Sequence, residues 1–211
     1  MRQFQGEEFD FRGTVDLTRC TLLLADDQVG RAKVTEEVLA PDPVELTELR
    51  VWDDLASLLP GVAANDDLAI IEGTWGTDAP TVQSADGKAT TITQRLRFRK
   101  RLSDNYVAGR DVQLRVRGGM ITTISDDVAT VDVECYKDDE DGGPGSDLCA
   151  TAAQSINSLT KADKDFVITA TDLAAGDVLD VRVTISITDA ATGTAVIGEI
   201  SRMALLRDIR G

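Results

Sequence analysis

The sequence predicts an all-β fold: an antiparallel β-sandwich of jelly-roll type with an irregular N-terminal arm that contains a short helix. Residues 179–187 alternate apolar and polar side chains, which is the period of a strand with one buried face. Strand-like segments recur between loops rich in Gly, Asp, Asn and Thr, without long helical patterns between them. Aromatic residues make up only 4% of the 211 residues, so Val, Ile, Leu and Thr must fill most of the core.

The arm is predicted to comprise residues 1–65. This segment carries 13 acidic residues against six basic ones, and Pro41 and Pro43 interrupt regular structure because neither has an amide hydrogen to donate. Apolar side chains with helical spacing run from Val51 to Leu59, so a short helix is expected to end at Pro60. We expect the arm to pack on another protein rather than on its own sandwich.

The sandwich is predicted to comprise residues 66–211. Its strands are expected at 68–75, 90–102, 111–117, 130–136, 179–187 and 196–209. The acidic, glycine-rich stretch 137–147 is expected to be a solvated loop between two strands. Its carboxylates are the kind of ligand that Ca²⁺ prefers, but their spacing does not match the EF-hand loop, so calcium binding stays the less favoured alternative.

A row of arginines is the most unusual feature of the predicted sheet. From 95 to 102 the chain reads Arg-Leu-Arg-Phe-Arg-Lys-Arg-Leu. On a strand, the four arginines of this row share one face and the apolar residues share the other; the row consists of Arg95, Arg97, Arg99 and Arg101. Because neighbouring like charges repel, these side chains must lie against carboxylates, either of their own chain or of a partner. The sequence leaves both arrangements open, and the second predicts an interface.

A later strand is expected to extend this cationic face. Arg115 and Arg117 share one side of segment 111–117, and residues 88–117 hold nine basic residues against two acidic ones in a chain of net charge −15. Such a face is opposite in sign to the acidic surface of a second copy. The sequence therefore predicts a homo-oligomer, for example a trimer.

The absence of histidine excludes several kinds of active site. Ser-His-Asp and Cys-His arrangements and imidazole metal sites all need this residue, and no glycine-rich phosphate loop follows a predicted strand. The sequence therefore predicts no enzyme, no cofactor and no metal. Its acidity disfavours nucleic acid and anionic membranes as partners, and no apolar run approaches the roughly 20 residues that span a bilayer.

The tryptophans and cysteines suggest different roles. Trp52 belongs to the apolar side of the predicted helix and is assigned to core or interface packing. Trp75 precedes a glycine-punctuated loop. Core or interface packing is favoured for this residue as well, and stacking on a glycan is its alternative role. Cys20, Cys135 and Cys149 are too few for a disulfide framework. Free thiols are favoured, while a bridge between the last two across the acidic loop stays open.

Several short stretches carry a resemblance to a known family. They lie at 50–55, 59–60, 65–68, 73–77, 106–109, 114–116, 147–155, 165–169, 176–182 and 205–211. In these stretches the segment from about Val51 to Gly211, about three quarters of the chain, resembles a group of virion proteins encoded by tailed phages, many of them marine. Members of this group look like jelly-roll decoration or cement proteins on a DNA-filled head.

The resemblance implies a capsid cement protein on the exterior of the virion, with the major capsid protein as its partner. Such a protein stabilises the assembled shell because it binds only that state. The expected interface residues are Arg95, Arg97, Arg99, Arg101, Trp52, Phe9 and Phe11. The alternative hypothesis is a carbohydrate- or receptor-binding module of a phage tail or head fibre, in which Trp75 contacts the glycan.

Overall fold

The computed structural model describes residues 39–138, 143, 145–190 and 193–208. These residues form ten strands: β1 (Leu39–Pro43), β2 (Ala69–Ile71), β3 (Thr81–Gln83), β4 (Thr91–Arg101), β5 (Val112–Met120), β6 (Val128–Lys137), β7 (Gln154–Ser155), β8 (Ala162–Ile168), β9 (Val178–Thr188) and β10 (Gly198–Asp208). A single 3₁₀ turn at Leu46–Glu48 is the only helical element in the described part of the chain. None of the described helical residues forms a segment that is long and apolar enough to cross a bilayer.

The strands form two antiparallel sheets. In the first sheet, β10 pairs with β5 along one side, while on its other side β3 pairs with its start and β1 with its end. The strand β2 lies beyond β3, and β8 lies beyond β5. The second sheet has the order β4-β9-β6-β7. The predicted all-β class and the antiparallel jelly-roll β-sandwich are confirmed.

The core lies between the two sheets and follows the predicted alternation. Leu96, Phe98 and Leu102 are fully buried, whereas the arginines between them lie on the outer face. Every second residue of β9 from Leu179 to Ile187 is also buried. One apolar cluster joins these strands to the inner faces of β5, β6 and β10. Burial of these side chains supplies the main free energy that holds the sheets together.

Four strands were not anticipated from the sequence. The strand β8 begins Ala-Asp-Lys-Asp, without apolar alternation, because its polar side chains lie opposite the arginines of β5. The strand β1 contains Pro41 and Pro43, which a central strand does not tolerate. As it pairs with β10 on one side only, it can carry both prolines. The strands β3 and β7 have only three and two residues.

The predicted helix that ends at Pro60 does not form. Residues 51–58 make a tight turn instead, in which the amide of Val51 donates to the carbonyl of Ser57. The side chain of Asp54 accepts hydrogen bonds from the Ser57 hydroxyl and the Ala56 amide. At the two ends of this turn, the backbones of Arg50 and Leu58 form an isolated antiparallel β-bridge. These local and tertiary hydrogen bonds outweigh the helical spacing of the apolar residues.

The described part of the predicted arm packs on its own sandwich, contrary to the expectation of an external partner. The side chains of Val44, Leu49 and Leu59 are buried within the same apolar cluster as the sheets. Residues 39–65 therefore contribute to the sandwich through both a strand and apolar contacts. Phe9 and Phe11 lie outside the described residues.

Candidate functional site

Each arginine of the predicted row has a carboxylate of its own chain. Arg97 donates through Nε to Asp180 Oδ1 at 2.6 Å, and Arg101 lies 2.8 Å from Asp104. The remaining pairs of this row are Arg95 with Asp66 and Arg99 with Asp138. The expectation that these four charges are matched by a partner is therefore wrong for this structure. Pairing within the chain, the other arrangement that the sequence left open, is the one observed.

The second cationic strand does not extend this face. Arg115 and Arg117 lie on β5, which belongs to the other sheet. There Arg115 makes two 2.7 Å hydrogen bonds to Asp165, and Arg117 lies 3.2 Å from Asp163. The two groups of arginines thus occupy opposite outer faces of the sandwich. Each group is matched by carboxylates on neighbouring strands or loops.

The register explains why the arginine face tolerates its charge. Arg97 on β4 lies directly opposite Arg182 on β9, an arrangement that repels on its own. Asp180 neutralises the first arginine and Glu134 the second, so charges alternate across the sheet. The hydrogen bonds that Arg97 donates to the carboxylate of Asp180 raise the pKa of Arg97 above its usual value. The face is a closed ion-pair network rather than a free cationic surface.

We expect Arg97→Glu to destabilise the fold by about 2 kcal/mol, because it places a carboxylate beside Asp180. The charge-swapped double variant Arg97→Glu with Asp180→Arg should recover most of this loss. Urea unfolding followed by fluorescence measures both values. If Arg97→Glu left the free energy of unfolding unchanged but abolished self-association, the arginine row would be an interface between copies of the chain.

Trp52 covers part of the same face and has a structural role. Its ring contacts the guanidinium groups of Arg95 and Arg182 at 5.1 and 5.4 Å from the ring centroid. Its indole Nε1 donates to Asp66 Oδ2 at 2.8 Å. Near this group, burial and the charges of two neighbouring carboxylates raise the pKa of Asp67. Trp52 is half-buried on the outer face of its own chain and does not belong to the core cluster, so the core role is wrong, while its role at a partner interface stays a prediction.

Trp75 has the opposite environment and lies at the rim of a large cleft. Its side chain is 99% exposed. The cleft has a volume of about 1070 Å³ and lies between residues 46–61 and the connection from β2 to β3. Its aliphatic lining consists of Leu46, Leu58, Leu59, Ile70 and Pro80. Arg50, Glu72 and Asp78 supply its charged groups. The sequence identified Trp75, but not the opposite wall.

The loop that carries Trp75 has a defined geometry. Asp78 Oδ2 accepts a hydrogen bond from the amide of Thr74 at 2.8 Å, and the amides of Thr77 and Asp78 both donate to the carbonyl of Thr74. Gly73 has φ +68°, and a Cβ atom at this position would lie 2.4 Å from Cβ of Asp78. Only glycine fits there without displacing Asp78, so these contacts fix the backbone of the loop at Trp75, while its indole stays exposed.

A pair of glycine variants tests whether this loop geometry positions Trp75. Gly73→Ala must displace Asp78, whereas Gly76→Ala meets no atom within 4 Å and has only the strain of its φ of +82°. We therefore expect Gly73→Ala to weaken binding at the cleft several-fold more than Gly76→Ala does. Isothermal titration with a cleft ligand measures the difference. Equal affinities of the two variants would show that the loop does not position Trp75.

The other candidate residues from the sequence do not form a further site. Cys135 and Cys149 are free thiols, and burial raises the pKa of both. Asp147 Oδ1 accepts from the amide nitrogens of both residues at 2.9 Å. Most of the candidate calcium loop, residues 139–142 and 144, lies outside the described residues. Within the described ranges, no group of three or more Cys, Asp or Glu side chains could hold a metal ion.

The sequence matches no protein-family model and no curated protein. Solved structures with a similar fold include the CBM22-1 xylan-binding domain of Paenibacillus barcinonensis Xyn10C, with 11% identity, a TM-score of 0.41, and coverage of 82% of this chain and 99% of that chain. A family 16 carbohydrate-binding module has 11% identity, a TM-score of 0.40, and coverage of 69% and 88%. A structure of infectious bursal disease virus has 9% identity, a TM-score of 0.30, and coverage of 66% and 38%.

These similarities concern the β-sandwich fold alone. No match at the level of sequence connects the chain with the phage virion group. The function must therefore be argued from the cleft itself.

Proposed function

We propose that the protein is a non-catalytic binding module that holds a carbohydrate chain in the Trp75 cleft. The observation that carries the proposal is the indole of Trp75, which is 99% exposed at the rim of a cleft with aliphatic walls. Leu58, which also lines the cleft, is 61% exposed. Exposed apolar side chains grouped around one cleft are typical of binding sites on soluble proteins.

A sugar chain suits the chemistry of this cleft. A pyranose ring has a flat face of C–H groups and an edge of hydroxyl groups, so it needs a flat apolar partner beside hydrogen-bonding groups. Trp75 supplies the flat partner, while Thr47, Arg50 and Glu72 supply donors and acceptors in the same cleft. The volume of about 1070 Å³ is at the upper end for small-molecule sites and suits a segment of a polymer.

The carboxylates of the cleft favour binding over hydrolysis. A glycosidase needs two acids that flank the scissile bond. Here Glu72 and Asp78 belong to one loop, and Asp78 already accepts a hydrogen bond from the Thr74 amide within that loop. This arrangement supports a role in holding the ligand and shaping the loop.

Capsid cement is the second candidate function, with the major capsid protein as partner, a homo-oligomeric state and a place on the virion exterior. The exposure of Leu58 and Val62 favours it, because aliphatic side chains contribute more to a protein contact than to stacking on sugars. The arginine row no longer supports it, since each arginine has a carboxylate of its own chain.

Electrophoresis of the wild-type protein in native gels tests the proposal, with a panel of soluble polysaccharides in the gel. We expect at least one polysaccharide to retard the protein, and titration calorimetry then gives its affinity. A parallel experiment mixes the protein with purified DNA-filled heads and measures saturable occupancy. Saturable binding to heads without retardation by any polysaccharide would overturn the proposal in favour of cement.

A further inference from the structure

We propose that the cleft prefers acidic saccharides and that Arg50 recognises their carboxylate group. This inference rests on the proposed function, because it assigns the ligand class of the same cleft. Arg50 lies on the wall formed by residues 46–61, whereas Trp75 lies on the loop that forms the other wall. A chain that contains uronic acid units would place one ring on the indole and a carboxylate of the same chain on the guanidinium.

The guanidinium of Arg50 is held in place by main-chain groups. Its Nη1 atom donates to the carbonyl oxygens of Thr47 at 2.7 Å and Leu49 at 2.9 Å. Its own backbone is fixed to the edge of β4 by two hydrogen bonds with Arg97, of 2.8 and 3.0 Å. The side chain is therefore positioned before any ligand binds, which lowers the entropy cost of binding.

Arg50 also lacks an acidic partner, unlike nearly all other arginines in the described part of the chain. Nine of these have a carboxylate within 4.0 Å: Arg95, Arg97, Arg99, Arg101, Arg115, Arg117, Arg182, Arg202 and Arg207. No described carboxylate pairs with Arg50 or with Arg110, and Arg110 is an exposed turn residue outside the cleft. Arg50 thus contributes the one unpaired guanidinium among the described cleft residues.

The free edge of this guanidinium suits a carboxylate. With Nη1 directed to the two carbonyl groups, Nε and Nη2 have no hydrogen-bond partner among the described residues. Two parallel N–H groups match the two oxygens of a carboxylate, and such charge-assisted pairs are stronger than bonds to a neutral hydroxyl. A carboxylate ligand would satisfy both donors at once.

The acidic residues of the cleft do not satisfy this edge. Asp78 is engaged by the Thr74 amide, and Glu72 is exposed on the loop of Trp75. The net charge of −15 repels an anionic polymer at long range, but at physiological salt this repulsion is screened beyond roughly 8 Å. At short range, the contact between Arg50 and a ligand carboxylate therefore determines the preference for acidic over neutral saccharides.

The test compares pairs of polymers whose carboxyl groups are either ionised or methyl-esterified. Polygalacturonate, alginate and hyaluronan are each titrated beside their methyl esters, at physiological ionic strength. We expect at least one acid form to bind about tenfold more tightly than its ester. Arg50→Met should remove this difference, and Arg50→Lys, which keeps the charge without the planar edge, should retain only part of it.

The outcomes separate this inference from the proposed function. Trp75→Ala should weaken binding of acid and ester alike, whereas Arg50→Met should weaken the acid form alone. If acid and ester bind equally, or if only neutral polysaccharides bind, the preference for acidic saccharides is wrong while the binding module stands. If no polysaccharide binds at all, both fail. Unfolding midpoints of the two Arg50 variants, compared with the wild type, verify that both are folded.

Discussion

Replacing Trp75 with alanine is expected to remove most of the polysaccharide affinity and to leave the sandwich as stable as before. The indole makes almost no contact with the rest of the chain, since 99% of its side chain is exposed, so its loss costs the fold little. A ligand that covers one face of the ring gains roughly 1–2 kcal/mol from burial, so the affinity should fall about 5- to 30-fold. Calorimetric titration measures this change.

Two variants complete this experiment. Trp75→Phe keeps a flat aromatic face and should retain part of the affinity. Val128→Ala removes another exposed apolar side chain, at the start of β6 in the second sheet, and should not change binding. An unchanged affinity in Trp75→Ala would contradict the proposed site. If that variant instead lost occupancy on purified heads, Trp75 would be a contact of the cement protein.

The largest loss of stability is expected for Phe98→Ala. Phe98 is fully buried on the inner face of β4 and lies opposite Val181 of β9. Truncation removes its apolar contacts and leaves a cavity between the sheets, which costs about 3–5 kcal/mol. For a domain of this size the melting temperature should fall by roughly 6–20 °C. Urea unfolding gives the free energy directly.

The matched control for this variant lies on an edge strand. Val167 of β8 is 46% exposed, so Val167→Ala should change the free energy of unfolding by about 0.5 kcal/mol or less. A loss below about 1 kcal/mol in Phe98→Ala would show that the core relaxes around the missing ring. In that case the tight packing inferred between β4 and the opposite sheet would be wrong.

The sequence predicted the fold best where apolar alternation was strong. Segments 90–102 and 179–187 match β4 and β9 to within two residues, because each has one fully buried face. The strand β8 was not predicted, because its first residues lack apolar alternation. Its Asp163 and Asp165 lie on the outer face opposite arginines of β5. Its β character depends on these partners, which are about 46 to 50 positions away in the chain.

The candidate site was predicted in part. The sequence offered Trp75, which precedes a glycine-punctuated loop, as a candidate for stacking on a glycan, and the structure shows this side chain at a cleft. The sequence pattern did not indicate the cleft wall formed by residues 46–61, because the spacing of Leu58 and Leu59 predicts one side of a helix. The Asp54 turn gives them different environments: both line the cleft, but Leu59 is buried against the core, while Leu58 is exposed.

The sequence by itself determined which side chains of the long strands face the core, since alternation is a local property of an extended chain. It also placed four arginines on one outer face. Only the tertiary structure decided what those arginines contact, because Arg97 and Asp180 are 83 positions apart and meet through the register of β4 and β9. The same holds for Arg50, whose lack of a carboxylate follows from where its segment crosses the edge of β4.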